Sequence, residues 1–420
     1  MTLIDYTKIL DKITPSSEEL KIIKQATDKI VSIIYSSAKK NNIEVDIVPG
    51  GSTAKGTFLK GNHDVDIFVR FKTEKNNISN ELEIFLKDLA KEEKITVERI
   101  HGSRDYFNFV YKDLHFELVP VKLITLSTEA DNVTDMSPLH VFWVEKYLND
   151  ELRKDILLAK QFCKAQGVYG AESYINGISG HVLDILLIHY GSFESFLENV
   201  SRWEEPVVID HEKKHEDVFK SMNKAKLESP LIVVDPIDQM RNASAAICEE
   251  KFDKLVFAAN EFLAQASEDF FTIKPFVIDE VKESKEKNEL FLALEIKPLE
   301  GHKDVVGTKI LKIFEYIQRE MTEYGFTINR SSWNFNDLSH IYFFIDSKSL
   351  EKEYVRKGPP AKVTEGAKQF KEKHGDSVFE KDAYLHVTLK REFIEASDFL
   401  SWIIKEEFCN SRAMSIKLLL

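Results

Sequence analysis

The sequence is poor in cysteine, with three residues (Cys163, Cys248 and Cys409) in a chain of 420. An odd count without metal-ligand spacing argues against a disulfide scaffold and against a zinc module. No apolar run approaches the ~20 residues that cross a bilayer, so no membrane partner is expected. Internal repeats and low-complexity tracts are missing too. The opening stretch, MTLIDYTKILDKITPSSEEL, reads as an amphipathic helix start rather than a secretory or organellar leader, and a soluble, cytoplasmic protein is expected. Positive charge is short: 57 Lys+Arg against 70 Asp+Glu leave -13 at pH 7, which argues against indiscriminate polyanion binding. What remains is a globular balance, 43% hydrophobic and 30% charged, at a length that suggests about three domains.

The charge is uneven. Residues 301–420 hold 19 Lys+Arg against 18 Asp+Glu, leaving 38 against 52 for the first 300. Within 348–373 there are eight basic and four acidic residues. If a nucleic acid is handled, the C-terminal third is the grip, and the acidic excess elsewhere partly reflects a carboxylate site; the plainer reading is a solvated surface.

Apolar residues Ile9, Leu10 and Ile13, then Leu20, Ile23, Ala26, Ile30, Ile33 and Ile34, recur at helical spacing over 5–42. Pro15 to Glu19 breaks the run and supplies caps for a second helix. Strands are predicted at 43–48 and 64–71, a helix at 80–92, and further strands at 95–100, 106–111 and 114–121, the last two joined by Lys112-Asp113, a hairpin signal. From 138 to about 266 the pattern is helical. Beyond it, strand 290–297, helix 304–323, strand 325–333 and strand 338–346 have the order of a split βαβ or RRM-like sheet. A basic segment with Gly358-Pro359-Pro360, a helix at 363–374, a strand at 383–390 and a final helix complete the chain.

The sharpest chemical feature is Gly50-Gly51-Ser52-Thr53-Ala54-Lys55 followed by Asp64-Val65-Asp66. Residues i and i+2 of a strand point the same way, so Asp64 and Asp66 present two carboxylates on one face. Glu117, in Leu114-His115-Phe116-Glu117-Leu118-Val119-Pro120, offers a third on a later strand. Such a cluster repels itself unless protons or metal neutralise it, and Mg²⁺ prefers oxygen ligands. Three carboxylates on two Mg²⁺ ions suit in-line phosphoryl chemistry. The Gly51-Ser52 turn fits as phosphate holder, since glycine lets backbone N–H groups approach and the hydroxyl donates; Lys55 adds a positive charge. The pattern reads as a nucleotidyltransferase without saying which one.

Further segments carry a resemblance. Lys160-Gln161-Phe162-Cys163-Lys164-Ala165-Gln166-Gly167-Val168-Tyr169-Gly170-Ala171-Glu172 leads to Gly177-Ile178-Ser179-Gly180 and Tyr190-Gly191-Ser192-Phe193. Val234 to Asn242 (VDPIDQMRN) and Arg356-Lys357-Gly358-Pro359-Pro360 follow. With the motif above, the chain resembles the archaeal-type (class I) CCA-adding enzymes, tRNA nucleotidyltransferases. The resemblance implies an α+β multidomain protein: a polymerase-beta-like nucleotidyltransferase head (1–137), a helical, nucleotide-binding neck (138–266), an RRM-like body (267–347) and a small α/β tail (348–420) that binds tRNA and returns to the body. It implies addition of C, C and A to the tRNA 3′ end from CTP and ATP on two Mg²⁺ ions. Related enzymes are often dimeric, which makes a homodimer one option, but the residues do not give the oligomeric state.

Carried over by position, Gly51, Ser52 and Lys55 meet the triphosphate, Lys55 standing where the family more often has Arg. Asp64, Asp66 and Glu117 hold the metals, Glu117 where Asp is usual, with Asp113 as fallback. Ser137, Lys160 and Tyr169 contact the nucleotide, Arg241 the base edge, and Arg104 sits near a family histidine that touches the nucleotide. Plainer readings stand beside these: a snorkelling surface lysine for Lys160, a core-capping ring for Tyr169, a helix cap for Ser137, and an ion pair with Asp235 or Asp238 for Arg241. His211 and His215 have helical metal spacing, but among so many charges they read as a solvated helix. The tryptophans read as packing. Competing functions are an ATP-specific relative, such as a poly(A) polymerase or oligoadenylate synthetase, and a catalytically silent tRNA-binding protein.

Overall fold

The structure, a computed structural model, describes residues 4–62, 64–72, 77–102, 104–362 and 364–419. The chain divides into two compact units, one ending at Lys274 and the other beginning at Pro275.

The first unit opens with α1 (Thr7–Ile13) and α2 (Ser17–Lys40). They part at Pro15, and Ser16 Oγ accepts from the Glu19 N–H at 3.2 Å, satisfying one orphan donor of the new helix. Next come β1 (Val45–Pro49), α3 (Gly51–Lys55), β2 (Asp64–Phe71), α4 (Ile78–Glu93), β3 (Glu98–Ile100), β4 (Tyr106–Tyr111) and β5 (Leu114–Lys122). The sheet order is β1-β2-β5-β4-β3, with β2 and β5 parallel and the other neighbours antiparallel. Lys112 and Asp113 both adopt positive φ, 52° and 60°, as a tight two-residue hairpin requires.

Alternation along β2 and β5 separates two faces. Val65, Ile67, Val69, Phe71, Phe116 and Leu118 are buried in one core with Ile30 and Ile34 of α2 and Leu82 and Phe85 of α4. Each such side chain contributes roughly 1.5–3 kcal/mol through burial. Asp64, Asp66 and Glu117 are thereby left on the opposite face.

Helices α5 (Ser137–Glu145), α6 (Asp150–Ala165), α7 (Gly180–Tyr190) and α8 (Phe193–Val200) follow. Asn149, Ser179 and Ser192 cap the last three through their side chains. The helical reading of this region missed a two-stranded parallel sheet, β6 (Val207–Ile209) and β7 (Leu231–Val233), with α9 (Val218–Ser221) between them. Three-residue strands are too short to carry an alternation. Helix α10 (Glu249–Ala264) closes the unit, and Phe162, Phe193, Phe262 and Phe271 meet at its centre with ring centroids 5.7–6.2 Å apart. Trp143 and Trp203 are buried in the same core.

The second unit begins with α11 (Ile278–Glu283), then β8 (Glu289–Pro298), α12 (Lys303–Tyr324), β9 (Ile328–Asn334) and β10 (Ser339–Asp346). β10 pairs antiparallel with both β8 and β9, so it lies between two strands of the same direction, the split βαβ arrangement expected. A second sheet, β11-β13-β12, comprises β11 (Glu353–Pro360), β12 (Val378–Lys381) and β13 (Tyr384–Lys390), with α13 (Thr364–His374) between β11 and β12. The sequence pattern did not mark β11 or β12. The β11 ladder shifts register between Lys357 and Pro360, where prolines withhold the N–H that a ladder needs. After α14 (Ala396–Ile403) and α15 (Glu407–Asn410), β14 (Ala413–Leu419) pairs with β8. The chain therefore ends on a strand beyond the expected final helix. No helix among the described residues is long and apolar enough to cross a membrane.

Candidate active site

Asp66 and Glu117 are register partners on the parallel strands β2 and β5, as are Asp64 and His115. This brings three carboxylates to one end of one sheet face. Asp64 is exposed, while Asp66 and Glu117 are partly buried. Burial, then the like charges of Asp66 and Asp64, pushes the Glu117 carboxyl up to about 7. Burial and Asp64 also raise Asp66, against the opposing charge of Lys55. Both shifts belong to partly buried carboxylates held close to one another.

The Gly-Ser turn is stitched to the same strand. The Gly50 N–H donates to Asp66 O at 2.8 Å, and Thr53 Oγ1 donates to Asp64 O at 3.0 Å. Gly51 has φ +54°, and a β-carbon there would collide with Asp66 Oδ2. Only glycine permits this approach. Ser52 follows at the second position of α3, half-buried.

Lys55 goes elsewhere. It is buried, and its ammonium pairs with Asp184 of α7, itself fully buried. The contact expected between Lys55 and a phosphate is thus taken by a carboxylate. Lys160, far from snorkelling, is 3% exposed and donates from Nζ to Thr57 O at 2.8 Å and to Thr57 Oγ1 at 3.2 Å. Burial lowers its pKa to about 8, with Asp184 opposing. The Tyr169 hydroxyl lies over Gly180, where a β-carbon would stand 2.9 Å from Oη, and burial raises that phenol.

Lys164, one turn after Lys160 on α6, was not singled out by the sequence reading. Its Nζ stands 5.4 Å from the Tyr169 ring centroid. Burial lowers its pKa, while the charges of Asp64 and Glu172 work the other way, so it looks toward the carboxylates. The i, i+4 spacing from Lys160 was the available signal. Asp184 had one too, as a lone charge within the apolar run Val182–Ile188, which has to find a partner.

Arg104 is not gathered into this group. It clamps Asp135, Nη2 donating to both carboxylate oxygens at 2.6 and 2.7 Å. Asp135 also receives the N–H groups of Lys122, Asp131 and Asn132, which marks a structural clasp. Ser137 is the first residue of α5, with Met136 rather than Ser137 as its cap. Arg241 pairs with Asp235, Nη1 to Oδ2 at 2.8 Å, its side chain still 33% exposed. Asp113 sits at the tip of the β4–β5 hairpin, beyond the strand face that carries Glu117. His215 Nε2 lies 2.7 Å from Gln239 O, and the His211 ring packs on Trp143 and Tyr147.

Three family models cover most of the chain. One described as a nucleotidyltransferase domain matches residues 29–125, and one described as the second domain of tRNA nucleotidyltransferase matches 154–272. A third, the C-terminal domain of the CCA-adding enzyme, matches 291–412. A CCA-adding enzyme of Nanoarchaeum equitans is 31% identical over 388 residues, spanning 91% of this chain and 92% of that protein.

The chain belongs to the CCA-adding enzyme family.

Members from Methanococcus maripaludis (32% identity; 87% of this chain, 84% of that protein) and Methanocaldococcus jannaschii (27%; 96% and 91%) agree. Among solved structures, a cytoplasmic RNA terminal U-transferase aligns with TM-score 0.50 at 14% identity, covering 64% of this chain and 97% of that one. A poly(U) polymerase with Mg 3′-dATP bound gives TM-score 0.51 at 12% identity, covering 64% and 97%. At such identities the likeness is one of fold. The all-oxygen donor set of the carboxylate face suits a hard cation.

Proposed function

We propose that this enzyme adds cytidine, cytidine and adenosine to the 3′ end of tRNA from CTP and ATP, releasing pyrophosphate, without a nucleic-acid template. The observation that carries the reading is the pairing of Asp66 with Glu117, beside Asp64 and under the Gly51-Ser52 turn, in a chain of this family. Asp64, Asp66 and Glu117 are the residues that would hold two Mg²⁺ ions; the upward shifts of Asp66 and Glu117 mark them as carboxylates in want of positive charge. When bound, such ions activate an attacking hydroxyl and support the leaving pyrophosphate.

The chain's own residues bind and orient. Gly51 and Ser52 present backbone N–H groups and a hydroxyl to the triphosphate. Lys164, Lys160 and Tyr169 form the opposite wall, with the Lys164 ammonium as its charge toward the triphosphate. We assign Lys55 to fastening α3 to α7, and Arg104 to clasping Asp135, rather than to nucleotide contact. Ser137, at the start of α5, remains a nucleotide contact in this reading. The guanidinium of Arg241 meets the base edge. The basic stretch 348–373 is the tRNA grip. No side chain need act as general base.

The test is to incubate the protein with tRNA lacking its 3′ trinucleotide, labelled nucleotides and Mg²⁺, and to sequence the ends. Addition that stops at C, C, A is expected. Open-ended extension from ATP alone would move the protein to the poly(A) polymerase class, and absence of metal-dependent incorporation would leave a tRNA-binding scaffold.

A further inference from the structure

Behind Arg241 lies a polar cluster that the nucleotide-handling account does not use. Asp235, 0% exposed, lies just beyond β7. His140 Nε2 donates to it at 2.9 and 3.0 Å from the two oxygens. Arg241 Nη1 reaches Oδ2 at 2.8 Å, and the N–H groups of Ile237 and Asp238 reach Oδ1 at 2.9 and 3.2 Å. The backbone closes the clasp: Asp235 N–H donates to Arg241 O at 3.0 Å, and Arg241 N–H to Asp238 O at 2.9 Å. His181 packs on His140, ring centroids 4.3 Å apart.

His140, His181 and Asp235 offer ligand atoms within 4.8 Å of one another, a spacing that a transition metal would accept. Coordination is nevertheless not what the cluster is built for. Four N–H donors already fill the Asp235 oxygens, and Arg241 adds a fixed positive charge beside them. Burial leaves His181 with a pKa of about 3, hence a neutral ring that supports its neighbour without competing for the carboxylate.

A guanidinium held by one N–H and by its own backbone has a fixed direction for its remaining donors. That matters for base choice. Cytosine and adenine present a ring-nitrogen acceptor on the Watson–Crick edge, whereas uracil and guanine present a ring N–H there with a carbonyl beside it. A fixed donor edge meets an acceptor in the first pair and another donor in the second. A guanidinium free to swing reaches the neighbouring carbonyl and loses that distinction.

We infer that Asp235, braced by His140, is a positioning residue for nucleotide selection: it fixes the Arg241 guanidinium so that pyrimidine and purine bases with a ring-nitrogen acceptor are taken and those with a ring N–H refused. The inference rests on the reading that Arg241 meets the base.

The experiment compares kcat and KM for CTP and UTP in single-nucleotide additions to tRNA lacking its 3′ trinucleotide, using Asp235→Asn, Arg241→Ala and the double variant. Asp235→Asn is expected to lower CTP-over-UTP discrimination by about tenfold or more, as when a buried charged hydrogen bond is lost, while kcat with CTP stays near that of the parent. In the Arg241→Ala background it should cost nothing further, because it acts through that arginine. Unchanged discrimination in Asp235→Asn, or losses that multiply in the double variant, would overturn the inference. If Arg241→Ala alone leaves discrimination intact, it is the base-reading role of Arg241 that fails. Should Asp235→Asn melt below the assay temperature, His140→Phe carries the same comparison: it withdraws one donor and keeps the ring volume.

Discussion

Asp235 and Glu117 are both largely buried carboxyls of the same unit, and the fold keeps them in opposite conditions. Burial works to raise Asp235, yet the hydrogen bond and charge of His140 and a backbone N–H outweigh it, holding this carboxyl well below the usual carboxylate range. Glu117 has burial and two like charges, and sits at about 7. The first centre is complete as the protein folds; the second is held apart from any internal partner. A saturated cluster can orient something else, whereas carboxylates crowded together favour any added positive charge.

The comparison can be broken most severely at Asp66. Asp66→Ala is expected to reduce CMP incorporation by more than the roughly 10–100-fold typical of an outer partner of a metal ligand. The melting temperature should hold or rise, since a self-repelling buried charge is removed. Near-normal turnover would show that the acidic face is not the reacting site. Beside that face, Asp184→Ala takes from Lys55 its ion-pair partner and from Lys160 the charge that supports its ammonium. Equilibrium unfolding in urea should register a loss of about 3–5 kcal/mol, the usual cost of breaking one side of a buried pair.

Next in size is a pH effect. Because the folded protein binds the Glu117 proton more tightly than the unfolded chain does, this group stabilises most below its ordinary value of 4.5, and its contribution is lost as pH rises to about 7. In metal-free protein, melting temperatures measured across that window should carry a downward component that Glu117→Gln removes and added Mg²⁺ opposes. A profile identical in the variant would mean that Glu117 is not the strained group. Smallest is Lys164→Ala, expected to raise KM for CTP and ATP by about tenfold, one charged hydrogen bond's worth, with kcat less affected and Lys164→Arg restoring most of it. An unaltered KM would remove Lys164 from the phosphate wall.

Much of this was legible in the residues. Period-two alternation placed Asp64 and Asp66 on one face, as the strand pairing has them, and Gly51 marked the turn that meets Asp66. What did not follow was that β5, three strands later in sequence, would lie parallel to β2 and set Glu117 against Asp66 in register; long-range register is decided by the sheet as a whole. The destination of Lys55 was hidden for a similar reason, its partner lying 129 positions away. Strand β14 escaped because it lies at a sheet edge, where only Ala413 is buried and the rest is half-buried or exposed with little alternation to read. The partner of Arg104 was not legible either, because a cation near a nucleotide site and a cation clasping a loop look alike until the acceptor, Asp135, is seen.

The Lys55–Asp184 pair has a mechanical meaning beyond its charge. It rivets the Gly-Ser segment to the helix whose first turn carries Gly180 and His181, close under Tyr169 and His140. The turn beside the carboxylates and the histidines beside Asp235 are therefore fastened to one frame, and a displacement at either is passed to the other.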